Sequence, residues 1–222
     1  MTLYGFLPGS PSIFSESGEP LAGGLLRGRA HAENLLHGAS HIYLYRRRNG
    51  ALEVLLQRRS RDKDSFPGCL DTSSAGHVPL GQSFFQTALR ELEEELGVHA
   101  PAEALQPAFF QRIREKSVFY GKPFFDNEVV QVYFLELDRE PSAFRLQREE
   151  VESVEWIGLE ALHDRIRSGD PEVCILPAEF ERVYAALRAL ASAGQQGRLP
   201  AAEKAFAGTE PFPPCGAPAQ PK

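Results

Sequence analysis

The stretch that most constrains this chain runs from Gly76 to Val98, GHVPLGQSFFQTALRELEEELGV. A glycine-rich entry leads into an amphipathic segment crowded with acids. Residues three and four apart share a helix face, so Glu91, Glu94 and Glu95 converge along one side. Phe85, Ala88, Leu89, Leu92 and Leu96 fall at helical spacing on an adjoining stripe that should face a core. Ser83 suits an N-cap and Gly97 a stop, which predicts a helix over 83–96. Like charges at this spacing disfavour an isolated helix. A hard divalent cation reverses the sign, because Mg²⁺ takes oxygen ligands and binds through a few carboxylates together with substrate phosphates. An acidic cluster alone is more often a solvated face. The glycine-rich approach and the flanking Arg90 are what separate this one from that reading.

Around the segment, strand and helix patterns alternate. HIYLYRRR, opened by His41, and LEVLLQRRS flank Asn49-Gly50, a strong signal for a two-residue hairpin turn. A polar loop with Pro67-Gly68 and a short strand at Cys69–Ser74 lead to Gly76. Ala108–Glu115, Glu128–Leu137 and Glu152–Ile157 alternate as strands do, and the first two are joined by the turn-like Tyr120–Pro123. Leu159–Ser168 and Pro177–Ala193 read as helices. The expectation is a three-layer α/β/α domain over 29–193. Before it lies an extension, 1–28, with room for a hairpin turning at Ser17-Gly18; after it comes a Pro/Gly/Ala-rich tail, 194–222.

Composition narrows the functional classes. Apolar residues make up 42% of 222, including 15 Phe, enough for a sizeable core. A net charge of −6 argues against a nucleic-acid backbone as partner. Cys69, Cys174 and Cys215 are far apart and lack CxxC spacing, so neither a disulfide framework nor a zinc site is expected, and a reducing, cytoplasmic setting fits. MTLYGFLPGSPSIF shows no basic run followed by an apolar one, so no secretory signal is expected. No apolar run approaches the roughly 20 residues of a membrane helix. A homodimer is among the assemblies left open.

The central stretch resembles the Nudix box, the signature of the Nudix hydrolase superfamily. That pattern is a Gly, five residues, a Glu, seven residues, then Arg-Glu-apolar-x-Glu-Glu-x-Gly-apolar. This chain reads Gly76, HVPLG, Gln82, SFFQTAL, Arg90-Glu91-Leu92-Glu93-Glu94-Glu95-Leu96-Gly97-Val98, with Gln82 the one departure. LLQRRSRDKDSFPGCLDTSSAGHV, DNEVVQVYFLEL and EEVESVEWI are similar to the branch that includes isopentenyl diphosphate isomerase. The resemblance implies a Nudix fold, a three-layer α/β/α sandwich with a mixed β-sheet. It also implies Mg²⁺- or Mn²⁺-dependent attack by water on a phosphorus of a small-molecule diphosphate, such as a nucleoside diphosphate derivative.

By the same resemblance, Glu91, Glu94, Glu95 and the backbone carbonyl of Ala75 are metal ligands. Glu94 and Glu95 carry the catalysis, Arg90 orients an acid of the box, and Glu128 is a distal base, with Glu149 and Glu150 weaker candidates. Arg58, Arg59 and Lys63 flank the site in sequence and are candidates for holding phosphate oxygens. His31, His37, His77, Asp126 and Glu128 correspond to the isomerase's metal-binding and proton-transfer groups, and His41 lies close by. The isomerase, however, carries a catalytic cysteine directly before the Gly-His pair, where this chain has Ala75. A methyl group moves no proton, which disfavours isomerisation and leaves structural hydrogen bonding as the reading for the histidines. Gln82 cannot replace a carboxylate, so a non-catalytic binding module is the remaining alternative. Phe119, Tyr120, Phe124 and Phe125 are candidates for stacking on a base, although such rings more often pack.

Overall fold

The computed structural model describes residues 11–14, 20–24 and 27–192. The Ser17-Gly18 turn and the tail after 194 lie outside the described residues. In chain order the elements are β1 (Ser12–Phe14), β2 (Pro20–Gly24), α1 (Arg27–Ala32), β3 (His37–Arg48), β4 (Ala51–Arg59), β5 (Leu70–Asp71), β6 (Ser74–His77), α2 (Phe84–Leu96), β7 (Gln106–Phe119), β8 (Lys122–Glu136), β9 (Val151–Gly158), α3 (Leu159–Arg167) and α4 (Pro177–Ser192).

β3 organises the sheet. Asn49 and Gly50 adopt φ of +52° and +78°, the left-handed pair a tight hairpin requires, and fold β4 back antiparallel with Tyr45 opposite Val54. Along the first half of the same edge β6 runs antiparallel, Ala39 opposite His77 and His41 opposite Ala75. On the other edge β8 lies parallel, from His37 opposite Glu128 to Tyr45 opposite Glu136. β7 pairs antiparallel with β8, while β4 also carries β5 and β9. The sheet is therefore mixed. β1 and β2 attach through Ile13 opposite His37.

Alternation along the strands divides the apolar residues between two cores. Tyr43, Val54, Leu56, Val130 and Val132 pack with Leu162 and Ile166 of α3 and with Phe180, Val183 and Leu187 of α4. Ile42, Leu44, Leu55, Tyr133 and Leu135 pack on the opposite face with Ala88, Leu92 and Leu96 of α2. The sheet lies between two helical layers, as the sequence implied. Among the described residues no helix is long and apolar enough to cross a membrane.

The ends of α2 are fixed by local chemistry. Ser83 Oγ accepts from the Gln86 N–H at 3.1 Å, and the Ser83 N–H donates to Gln86 Oε1 at 3.0 Å, a reciprocal capping box. Gly97 closes the helix at φ +64°, where a Cβ would come within 2.8 Å of Arg145 Cβ. Two expectations shift. β3 begins at His37, not His41, because pairing on both edges holds His-Gly-Ala-Ser extended despite its weak strand propensity. β7 and β8 also run further than the alternation indicated, up to a two-residue turn at Tyr120-Gly121 with φ of +52° and +75°.

Candidate functional site

A cavity of about 380 Å³ is lined by α2, β6, the 59–71 loop region, the β7–β8 pair and the start of α4. Its acidic wall is α2. Glu95 lies in phase with Leu92 and Leu96 and is buried with them. Its Oε2 accepts the Ala75 N–H at 3.3 Å and a long contact from Gln57 Nε2 at 3.5 Å. Burial, reinforced by the charge of Glu91, pushes the Glu95 carboxyl up to about 8. Burial likewise lifts Glu91 to about 7, with Arg90 opposing and Glu94 adding to the shift. Glu91 can lie this close to β6 because residue 76 has no side chain: a Cβ there would fall 2.0 Å from Glu91 Oε1. Arg90 donates to Glu91 Oε1 and Glu94 Oε2, both at 2.6 Å, and its own Nε is buried without a partner. Glu94 is half exposed at the rim.

A second group lies across the cavity. His31, His37 and His77 each offer a ligand atom within 4.8 Å of the others. His31 Nδ1 sits 3.0 Å from the Phe125 carbonyl and His37 Nδ1 2.8 Å from the Leu35 carbonyl, so each Nδ1–H is the donor. Both Nε2 atoms are buried and without a hydrogen-bond partner. His37 Nε2 is 3.2 Å from Glu128 Oε1 without the alignment of a hydrogen bond, and His77 Nε2 meets the same oxygen at 3.1 Å. Burial alone would raise the Glu128 carboxyl, but His37 and His77 prevail and hold it well below the usual range. Asp126 lies 3.2 Å from His31 Nδ1. Structural hydrogen bonding accounts for the Nδ1 edges and leaves the Nε2 edges of His31 and His37 unexplained. His41 stands apart, bound to Glu179 of α4 at 2.9 and 3.0 Å.

The expected phosphate-holding cations separate. Arg59 faces the cavity, held by Asp71 at 2.8 Å and by the Ser65 carbonyl, and Lys63 faces it in contact with Glu150. Arg58, one residue earlier, does not line the cavity; it donates to the Gly68 carbonyl and pairs with Glu155. Its assignment to substrate is therefore corrected. Glu128 sits among the histidines rather than as a lone base, Glu150 lines the cavity, and Glu149 does not. Phe124 lines the cavity and stacks on His31 at 4.2 Å, Phe119 packs edge-on against Phe66 and Phe124, and Tyr120 is exposed at the hairpin tip.

A family profile, the NUDIX domain, matches residues 35–175. The chain belongs to the Nudix family. Nudix hydrolase 3 of Arabidopsis thaliana is 37% identical over 161 residues, which cover 72% of this chain and only 20% of that protein. An uncharacterized Nudix hydrolase of Clostridium acetobutylicum is 31% identical over 68% of this chain and 70% of its own length. The isopentenyl-diphosphate Delta-isomerase of Escherichia coli is 31% identical over 68% of this chain and 77% of its own. Among solved structures, a Deinococcus radiodurans protein shares the fold at a TM-score of 0.58, with 23% identity, over 78% of this chain and 98% of that one.

Within this Nudix chain, the box glycine is the floor beneath Glu91 and the box arginine is the clamp on Glu91 and Glu94. Gln82 is exposed and does not line the cavity. Sequence reading missed Asp71 and Glu179. Glu179 carried a signal, since it falls four residues before Val183 on the apolar stripe of α4, and an acid in phase with a core stripe needs a buried partner.

Proposed function

We propose that the protein is a Mg²⁺- or Mn²⁺-dependent hydrolase of a diphosphate linkage in a nucleoside diphosphate derivative or related small-molecule diphosphate. The observation that carries this reading is the carboxylate pair of α2, with Glu95 buried and Glu91 packed over a glycine with no room for a Cβ. Two such groups repel when ionised, and a hard divalent ion with oxygen ligands fits the donor set. When bound, such an ion neutralises the diphosphate and lowers the pKa of the attacking water.

The chain's own residues divide the remaining work. Glu91 and Glu95 hold the ion, with Glu94 and the Ala75 backbone beside them. Arg90 fixes Glu91 and Glu94, and Glu94 Oε1, the oxygen Arg90 leaves free, receives the proton of the attacking water. Arg59 and Lys63 hold phosphate oxygens, Arg by its fork geometry. The orphaned Nε2 atoms of His31 and His37, with His77 and Glu128, fit a second ion, and imidazole suits a borderline transition ion better than Mg²⁺. Glu128 then serves as a ligand or an orienting group.

The test is a metal-dependent screen of nucleoside diphosphates, nucleotide sugars, dinucleotides, coenzyme A and isoprenoid diphosphates. Glu95→Gln is expected to abolish turnover, and equal turnover by wild type and variant overturns the reading. Ala75 stands where the isomerase has its cysteine, and Cys174, the thiol that does line the cavity, gives its S–H to the Leu70 carbonyl at 3.3 Å, so no deuterium exchange into isopentenyl diphosphate is expected at high protein concentration.

A further inference from the structure

The most heavily coordinated carboxylate in the cavity comes from α4, which follows the family-matched segment. Glu179, in the first turn of α4, is buried. Its oxygens take His41 Nδ1 at 2.9 and 3.0 Å, Tyr43 Oη at 2.6 Å and Gln111 Nε2. A buried carboxylate is costly unless its oxygens are satisfied, and here β3 and β7 satisfy both. Tyr43 is wholly enclosed. His41 is the member that opens outward: its ring lines the cavity and 18% of its side chain is accessible.

Burial opposes the charged ring, but the Glu179 carboxylate bound to Nδ1–H prevails and raises the imidazole to about 9, so the ring is an imidazolium fixed in rotation and Nε2 carries a proton as well. Nε2 has no protein partner and is not among the buried polar atoms, so it is the edge presented to the cavity. The strand register places it. His41 is opposite Ala75, whose N–H meets Glu95. His37 is four residues back on the same face, roughly 13 Å along the strand, in the histidine cluster from which His41 is absent. The cavity floor thus carries the histidine cluster at one end and a single oriented N–H donor at the other, with the Glu91–Glu95 wall beside it.

We infer that His41 contacts the substrate, donating Nε2–H to a phosphate oxygen of the diphosphate, and that Glu179 is the positioning residue that aims it. This rests on the hydrolase reading. It gives α4 a part in substrate recognition, whereas a bridge that merely ties α4 to the sheet would affect folding alone.

The test uses methylenediphosphonate, which has the diphosphate geometry and is not hydrolysed, titrated calorimetrically into the full chain in saturating Mg²⁺. His41→Gln is expected to weaken binding roughly ten- to hundredfold, the range of a hydrogen bond to a charged group. Glu179→Gln weakens it by a smaller factor, and the double variant binds no worse than His41→Gln, because Glu179 acts through His41. Affinity for Mg²⁺ alone stays at the wild-type value. A second measurement needs no folded Glu179 variant: in wild type the ¹⁵Nε2 resonance of His41 shifts on saturation with diphosphonate, while that of the exposed His99 does not. Wild-type affinity in a folded His41→Gln protein, or an unmoved His41 resonance, overturns the inference and leaves the hydrolase reading standing. Absence of diphosphonate binding to wild type overturns both.

Discussion

A Cβ on residue 76 would lie 2.0 Å from Glu91 Oε1 and 2.2 Å from its Cδ, and Glu91 is tethered to Arg90 and cannot simply swing away. Gly76→Ala is therefore expected to displace the carboxylate and lower turnover at least about a hundredfold, in line with the sensitivity of reacting groups to displacements near 1 Å. Far-UV circular dichroism should stay native, because β6 needs no left-handed backbone there. Gln82 gives the contrasting case. Its side chain is exposed and away from the cavity, while Arg90 already has two acidic partners. Gln82→Glu should change kcat/KM by less than about threefold, as for most surface substitutions; a large gain would restore the non-catalytic module as the better account. At this scale the sequence identified every acid of the box. It misassigned Arg58, whose guanidinium goes to the Gly68 carbonyl and Glu155, contacts that nothing local in the sequence announces.

α2 shows what a helix can carry when its ends are secured elsewhere. The capping box and Gly97 stabilise its termini, and Ala88, Leu92 and Leu96 anchor one face, so the buried acids ride on an element they would not themselves favour. The balance depends on pH. Glu91 and Glu95 are lifted from the ordinary 4.5 to about 7 and about 8, so the native state keeps protons there that the unfolded chain releases. That contribution is whole below about pH 4.5 and is lost as pH rises through the folded values. The metal-free protein is therefore expected to melt at progressively lower temperature between about pH 5 and 8. Mg²⁺ should raise the Tm more at pH 8 than at pH 5, and an equal rise at both would argue against these carboxylates as ligands. Elements were legible where local chemistry decides them, as at Asn49-Gly50 and at both ends of α2. They were not legible where partners decide, as in the first four residues of β3, whose strand character comes from β6 and β8 rather than from His37-Gly-Ala-Ser itself.

For the whole molecule, the sheet separates two cores that share no helix. Ile42 is buried on the α2 side and Ile166 on the α3–α4 side. Ile42→Val and Ile166→Val should each cost about 0.5–1.5 kcal/mol in urea unfolding. The pair should add to within about 0.5 kcal/mol, as distant sites do. Strong coupling would mean that the two layers do not act as separate cores. The three-layer arrangement was readable from the alternation of elements. The cavity was not, because it draws Glu91 and Glu95 from one helical layer and Glu179 from the other, and nothing local in sequence joins them.

β3 carries His37, Ala39, His41 and Tyr43 on one face, with Ser40 and Ile42 on the other. A slip of one residue against β8 would exchange the two sets, turning the imidazoles toward α2 and Ile42 toward the cavity. The same pairing that hides the apolar side chains also sets the imidazoles of the cavity in place. Turnover is thus a proofreading signal for this strand: a chain that folds out of register is silent, however compact it is, and an activity screen on random variants of β3 would double as a screen for correct alignment.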